Sequence, residues 1–368
     1  MVQKQRKILF VLEHFYPYIG GAEKLFYQLA TSLVQKGFDV TVVTTLYERG
    51  LKKEETHEGV KIIRVNCFNR FGFTFFSLPK VFRYAKGADF IHTSTYNAAL
   101  PSILVGMFLR KKVLVTFHEV WAELWKKLPF TNVLSRNAFY YFEKLLLKLP
   151  FYRFVAVSEF TKSKLVENGI PEEKVILIYN GIDYSQFEKY NHTPPETFTY
   201  TYFGRLGISK GLDLLIPAVA SFRKTYPNSR LKLILPKRPK GLYLQIINLI
   251  ASHNLEAHID LLHNLPQEKL YHELLNSTCL VIPSYSEGFC FAAAEGVALG
   301  VPIISSHQGA LKEVVSGKHI YMENQSIEAL NQALEKAYKN DWSQSEAKYY
   351  DFEDSLKGYL EIYDGLFD

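Results

Sequence analysis

Short apolar runs alternating with segments of helical period, twice over, are the strongest constraint this chain places on its own fold. In the first half the runs are Ile8–Leu12, Val40–Thr44, Lys61–Val65, Phe90–His92, Val113–Phe117, Phe154–Val157 and Val175–Ile178. Each is of strand length, and most are followed by a stretch whose apolar residues recur at helical spacing, the signature of parallel βαβ units. Around 179–202 the rhythm breaks into Asn-Gly, an acidic-aromatic stretch and the pair Pro194-Pro195, as a linker would. It resumes with Thr199–Phe203, Leu231–Leu235, Ile259–Leu262, Leu280–Pro283 and Pro302–Ser305. The expectation is α/β: two Rossmann-like doubly wound domains facing across a cleft, with residues 1–185 in the first and 186–341 in the second. The last stretch, 342–368, carries Tyr349, Phe352, Leu356, Leu360 and Tyr363 near helical spacing and is expected to pack back onto the first domain.

Length and composition agree with this division. A chain of 368 residues exceeds what one hydrophobic core usually serves. With 48% hydrophobic and 22% charged residues it lies far from the composition of disordered chains. Cys67, Cys279 and Cys290 are few and lie in no CxxC or zinc-type spacing, which points to a reducing compartment and no metal site. The amino terminus runs straight into a strand too short for a signal core or a membrane span, so a cytoplasmic protein is expected, peripheral at most on the inner face of the membrane. The net charge of +6 favours anionic partners without choosing among them.

Four segments carry the candidate chemistry. Tyr18-Ile19-Gly20-Gly21-Ala22-Glu23 follows the first strand, where open parallel sheets bind ligands and free amides at a helix start can face an anion. A purely structural βα turn would use the same glycines, and the pattern is not GxGxxG. Phe203-Gly204-Arg205 through Lys210-Gly211 follows a strand of the second half and places two cations on one loop. A guanidinium and an ammonium suit the neutralisation of a leaving diphosphate; taken alone, they equally suit solvated surface. Ser284 to Glu295 follows another strand, with Glu287 in the loop before a helix and Glu295 about two turns into it, both able to accept hydrogen bonds from sugar hydroxyls. Either acid alone would pass as a helix-terminal or helix-face charge; both together in an alanine-rich segment are harder to read so. Thr116-Phe117-His118-Glu119 ends a strand of the first half, and nothing in its spacing marks His118 as a base or a ligand.

Taken in order, these segments resemble the retaining GT-B glycosyltransferases of glycosyltransferase family 4. The resemblance spans nearly the whole chain and includes Val157-Ser158-Glu159, Asn180-Gly181-Ile182-Asp183 with Phe187, and Gly300-Val301-Pro302. It implies transfer of a sugar, of hexose type, from a nucleotide-diphosphate sugar, UDP- or GDP-linked, to a hydroxyl of a lipid-linked or cell-surface glycan. The donor is a substrate, and no cofactor or metal is implied. The implied donor site is Gly20, Gly21, Gly204, Arg205, Lys210, Glu287, Gly288, Phe289, Cys290, Phe291 and Glu295. Arg205 and Lys210 would hold the diphosphate, Glu295 the ribose and Glu287 the sugar, aided by amides near Phe289 and Cys290, while His118 would assist transfer. Two departures stand out: Cys290 occupies a position where family members often carry glycine, and Glu119 replaces an aspartate common after the histidine.

Residues 121–154 combine Trp121, Trp125, Phe130, Phe139, Tyr140, Tyr141 and Phe142 with Lys126, Lys127, Arg136, Lys144, Lys148 and Arg153. Such a segment suits an anionic membrane surface, or a helix buried on the first sheet with a basic outer side. A nucleotide-sugar 2-epimerase of the same fold and a non-catalytic donor-binding module are the competing readings. No nucleic-acid partner is expected, because the basic residues are scattered and no recognition motif occurs.

Overall fold

The computed structural model describes residues 5–18 and 20–367, which fall into two compact units. The first takes the chain up to Ala122, Phe139–Ile182 and the chain from Asp351 onward; the second takes Glu123–Ala138 and Asp183–Tyr350. The boundary therefore lies at Ile182–Asp183 rather than at 185–186. Two further differences from the sequence reading have a packing cause: Phe130 and Trp342 lie against the apolar core of the second unit, and their segments group with it.

Among the described residues, the first unit contains strands β1 (Lys7–Val11), β2 (Asp39–Thr45), β3 (Glu54–His57), β4 (Val60–Val65), β5 (Phe90–Ser94), β6 (Val113–Phe117), β7 (Arg153–Ala156) and β8 (Val175–Leu177). They lie in the order β3-β4-β2-β1-β5-β6-β7-β8, parallel except for β3, which runs antiparallel to β4. Continuous burial of Ile8, Leu9, Phe10 and Val11 shows why β1 reads as an unbroken apolar run: both its faces are covered. The helices are α1 (Gly21–Gln35), α2 (Phe73–Phe76), α3 (Leu78–Ala85), α4 (Ala99–Leu109), α5 (Val133–Leu147), which crosses the division, and α6 (Glu159–Glu167). In α1 the buried stripe Leu25, Phe26, Leu29, Ala30 and Leu33 follows the helical period. Each large apolar side chain so buried contributes about 2 kcal/mol.

The second unit contains β9 (Thr199–Phe203), β10 (Arg230–Ile234), β11 (Ile259–Leu262), β12 (Cys279–Ile282), β13 (Ile303–Ser305), β14 (Lys318–Tyr321) and β15 (Ser343–Gln344). Their order is β11-β10-β9-β12-β13-β14-β15, with only β15 antiparallel to its neighbour. Its helices are α7 (Leu212–Thr225), α8 (Lys240–Ser252), α9 (Gln267–Leu275), α10 (Phe291–Ala298), α11 (Leu311–Val314) and α12 (Ile327–Tyr338). The last helix, α13 (Phe352–Phe367), belongs to the first unit. There Tyr363 Oη lies 2.7 Å from His92 Nδ1, and Tyr359 Oη lies 3.3 Å from Thr116 Oγ1, which fixes the helix on the sheet.

Both sheets reverse their winding at a defined place. The chain moves outward from β1 to β2 on one side and to β5 on the other; β9 does the same with β10 and β12. Such switch points open a crevice at the carboxyl ends of the central strands. The segments after β1, β9 and β12 are those that carry the candidate chemistry.

Residues 121–154 are mixed in burial. Trp125, Leu128, Tyr140, Leu146, Leu147 and Phe151 are buried, because this stretch closes over apolar cores. Val133, Leu134, Tyr141 and Leu145 remain exposed. No helix among the described residues is long and apolar enough to cross a membrane.

Candidate active site

In the second unit, β9 ends in the loop that carries Gly204, Arg205 and Lys210, and β12 ends in the loop that carries Ser284 to Cys290. Two contacts join the loops. The Tyr285 amide donates to the Ser209 carbonyl at 2.7 Å, and the Tyr285 hydroxyl donates to Asp213 at 2.7 Å. Gly211 sits where they touch, at φ +70°, and a Cβ there would stand 2.1 Å from the Pro283 carbonyl oxygen. Only glycine allows this approach.

Across that junction the Lys210 ammonium lies 2.8 Å from each carboxylate oxygen of Glu287. Glu287 is buried and also accepts a 2.7 Å hydrogen bond from Ser284 Oγ. Its backbone is fixed by the Ala310 amide, which donates to the Glu287 carbonyl at 2.8 Å. Gly309 makes room for this: at φ +63°, its Cβ would come within 2.4 Å of that carbonyl oxygen. The Ser284 carbonyl is held in turn by Ser306 Oγ at 2.6 Å and Gln325 Nε2 at 3.2 Å. A buried carboxylate with this support is a preorganised acceptor, and the ammonium beside it is positioned for an anion.

The motif continues through Gly288 and Phe289 to Cys290, which stands at the start of α10 in the left-handed region, φ +77°. Phe289 is buried, its ring 5.2 Å from that of Phe291 and 5.3 Å from that of Tyr350. Small residues let α10 approach the sheet: a Cβ on Gly296 would meet Leu280 at 2.5 Å. Burial pushes the Cys290 thiol up, with Glu287 adding to the shift, Lys210 opposing it and Glu295 contributing as well. Arg205 is exposed on the loop that carries Lys210, its carbonyl accepting from Tyr202 Oη at 3.3 Å.

In the first unit, Gly20 precedes α1 in an extended conformation, φ −178°, and Gly21 opens the helix. His118 follows β6, its ring 5.7 Å from that of Phe26 and nearly perpendicular to it. The loop beyond is clamped by the buried Glu143 carboxylate, which accepts from Tyr96 Oη at 2.7 Å and from the amides of Trp121 at 3.1 Å and Ala122 at 2.6 Å. At the end of β1, buried Glu13 accepts from Asn97 at 2.8 Å and pairs with Arg70 at 2.8 Å. Burial alone would raise its pKa, but His14, Arg70 and Asn97 outweigh burial and hold it at about 2.

Of the residues the sequence singles out here, Lys210 and Glu287 are in direct contact; the groups that hold them were not singled out. Ser284 stands inside the motif and was legible there. Gly309, Ser306 and Gln325 carry no local signal, since their roles arise only when β13 and the loops after it fold against β12. Glu143 and Glu13 are single acids in apolar stretches, a weak sign of a satisfied buried carboxylate.

The family pattern described as Glycosyltransferase Family 4 matches residues 19–186, and that described as Glycosyl transferases group 1 matches residues 184–353. The chain belongs to the family 4 glycosyltransferases of GT-B fold. This family 4 enzyme is 24% identical over 346 residues to one chain of the phosphatidylinositol N-acetylglucosaminyltransferase of Arabidopsis thaliana, covering 90% of this chain and 74% of that one. It is 25% identical over 381 residues to a GDP-mannose:cellobiosyl-diphosphopolyprenol alpha-mannosyltransferase of Xanthomonas oryzae, covering 97% and 96%. Among solved structures, a sucrose-phosphate synthase from Thermosynechococcus elongatus superposes with a TM-score of 0.82 at 21% identity, covering 99% of each chain. That likeness concerns the fold.

Proposed function

We propose that this glycosyltransferase moves a hexose-type sugar from a UDP- or GDP-sugar to a hydroxyl of a lipid-linked or cell-surface glycan precursor, in the cytoplasm, with retention at the anomeric carbon and without a metal ion. The observation that carries the reading is the Lys210 ammonium held 2.8 Å from both oxygens of buried Glu287 at the switch point of the second sheet. In this reading Lys210 and Arg205 neutralise the departing diphosphate, so that the leaving group needs no cation beyond the chain's own. Glu287 accepts from hydroxyls of the sugar and holds Lys210 in line. Glu295, on the second turn of α10, accepts from the ribose. The diphosphate oxygen released as the glycosidic bond breaks takes the proton of the incoming acceptor hydroxyl on the same face, and His118 assists at the sugar. Two similar proteins support a lipid-linked acceptor: their names specify a phosphatidylinositol and a diphosphopolyprenol.

Thermal-shift screening against UDP-, GDP- and ADP-sugars tests the donor site directly, since a ligand that binds only the folded state raises Tm. One nucleotide class is expected to raise it, and Lys210→Ala is expected to abolish that rise and to lower kcat/KM about 100-fold or more. Transfer is expected to persist in EDTA, and the product's anomeric proton coupling is expected to match that of the donor. A Lys210→Ala protein that binds and transfers like the wild type would remove the reading.

A further inference from the structure

An exposed apolar surface of the first unit lies outside everything assigned above. Phe68 is 93% exposed, Phe75 70%, Met107 58% and Phe108 76%. Soluble surfaces do not ordinarily leave aromatic rings so bare in one region. Here they are neighbours: the rings of Phe68 and Phe76 lie 5.7 Å apart, those of Phe82 and Phe108 lie 5.5 Å apart, and α2, α3 and α4 pack side by side. On α4, Leu104, Met107 and Phe108 share one outward face at the spacing i, i+3, i+4. Between α3 and α4 runs an apolar groove of about 340 Å³, lined by Leu78, Pro79, Phe82, Leu104, Val105 and Phe108.

The charge of this region selects the occupant. Between residues 66 and 112 the cations are Arg70, Lys80, Arg83, Lys86, Arg110, Lys111 and Lys112, and the only acid is Asp89. Asp89 is engaged by the Lys7 amide at 2.8 Å. Arg83, Lys86 and Arg110 are exposed, and Lys86 lies with its ammonium 4.6 Å from the centroid of the Phe82 ring, beside the groove. Bare rings flanked by cations on long apolar stems are what an anionic bilayer receives: rings enter the boundary between headgroups and chains, and stems lie flat while the charges stay at phosphate level. A second copy of the same face would set cations against cations.

We propose that the α2–α3–α4 surface docks on an anionic lipid bilayer, with Phe68, Phe75, Met107 and Phe108 entering the headgroup–chain boundary and Arg83, Lys86 and Arg110 at the phosphates. One end of the surface is tied to the sheet, because Arg70, in the loop that bears Phe68, pairs at 2.8 Å with Glu13 at the end of β1. The docking inference stands on the surface alone and does not need the donor-site reading.

Flotation of the full chain with vesicles of phosphatidylcholine, with and without phosphatidylglycerol, tests it. The wild type is expected to float with the phosphatidylglycerol vesicles at low salt, and to bind neutral vesicles about tenfold less. Phe75→Ser/Phe108→Ser and Arg83→Glu/Lys86→Glu are each expected to lose flotation about tenfold. All four positions are exposed, and unchanged circular dichroism and an unchanged Tm establish that each variant is folded. A wild type that stays in the bottom fraction, or an aromatic variant that floats equally well, overturns the proposal. So does a concentration-dependent dimer that the aromatic variant dissolves, because that result would give the face to a second copy.

Discussion

At the scale of single residues, the Lys210–Glu287 contact has two separable effects. Both side chains are withdrawn from water, with side-chain exposures of 24% and 9%. Removing one partner from such a pair leaves the other charged and poorly solvated, at a cost of about 3 kcal/mol. Lys210→Met is therefore expected to lower stability by about that amount in urea titrations, and Lys210→Met/Glu287→Gln to recover most of it, while neither transfers sugar. If the double variant were as unstable as the single one, the pair would not be the source of the loss. Cys290 offers a second test. Its thiol is pushed up by burial beside Glu287, and Cys67 is raised to about 11 by burial. Since the thiolate is the reactive form, both are expected to react slowly with iodoacetamide in the folded protein at mildly alkaline pH and rapidly in urea.

At the scale of elements, two glycines with almost the same backbone isolate what the loop junction contributes. Gly211 has φ +70° and would drive a Cβ into the Pro283 carbonyl; Gly317 has φ +71° and faces open space. Gly317→Ala is expected to cost only left-handed strain, about 1–2 kcal/mol, whereas Gly211→Ala should cost at least about 2 kcal/mol more and should also remove the donor-induced Tm rise. Equal losses would show that the β9 and β12 loops do not depend on that approach. The comparison also shows what a sequence can and cannot reveal. The strands that lead into Gly204 and Ser284 were legible as short runs of β-branched, aromatic and aliphatic residues. Strand β3, Glu54–His57, was not, because its charged sequence lacks the apolar alternation that marks a strand. Nor was β15, whose pairing is supplied entirely by its neighbour β14. The rings of 121–154 left two readings open for a different reason: composition records how many aromatic residues a segment has, and only packing decides which way they point. The bare face at Phe68 and Phe108 escaped for the same cause in reverse, since its residues read as ordinary core.

At the scale of the whole molecule, the response to acid follows from two buried groups in the first unit. His92 lies between Tyr363 Oη at 2.7 Å and Thr116 Oγ1 at 2.8 Å. Burial, with some help from the charge of His118, lowers its pKa from 6.5 to about 3. A base whose folded pKa is depressed is protonated first in the unfolded chain, so falling pH favours unfolding from about 6.5 downward. Glu13 acts in a lower window: its folded pKa of about 2, against 4.5, gives stability that is complete above 4.5 and lost as pH falls toward 2. The two windows overlap below pH 4.5, so the histidine is read alone above it. Between about pH 7 and about pH 5 the histidine alone should cost the wild type about 2 kcal/mol. His92→Gln removes that titration while keeping a polar group for α13, so the stability gap between wild type and variant in urea titrations should narrow by about 2 kcal/mol over that interval. Parallel curves for the two proteins would mean that His92 is protonated in the folded state as readily as in the unfolded one. That result would contradict its enclosure between the sheet and the returning helix.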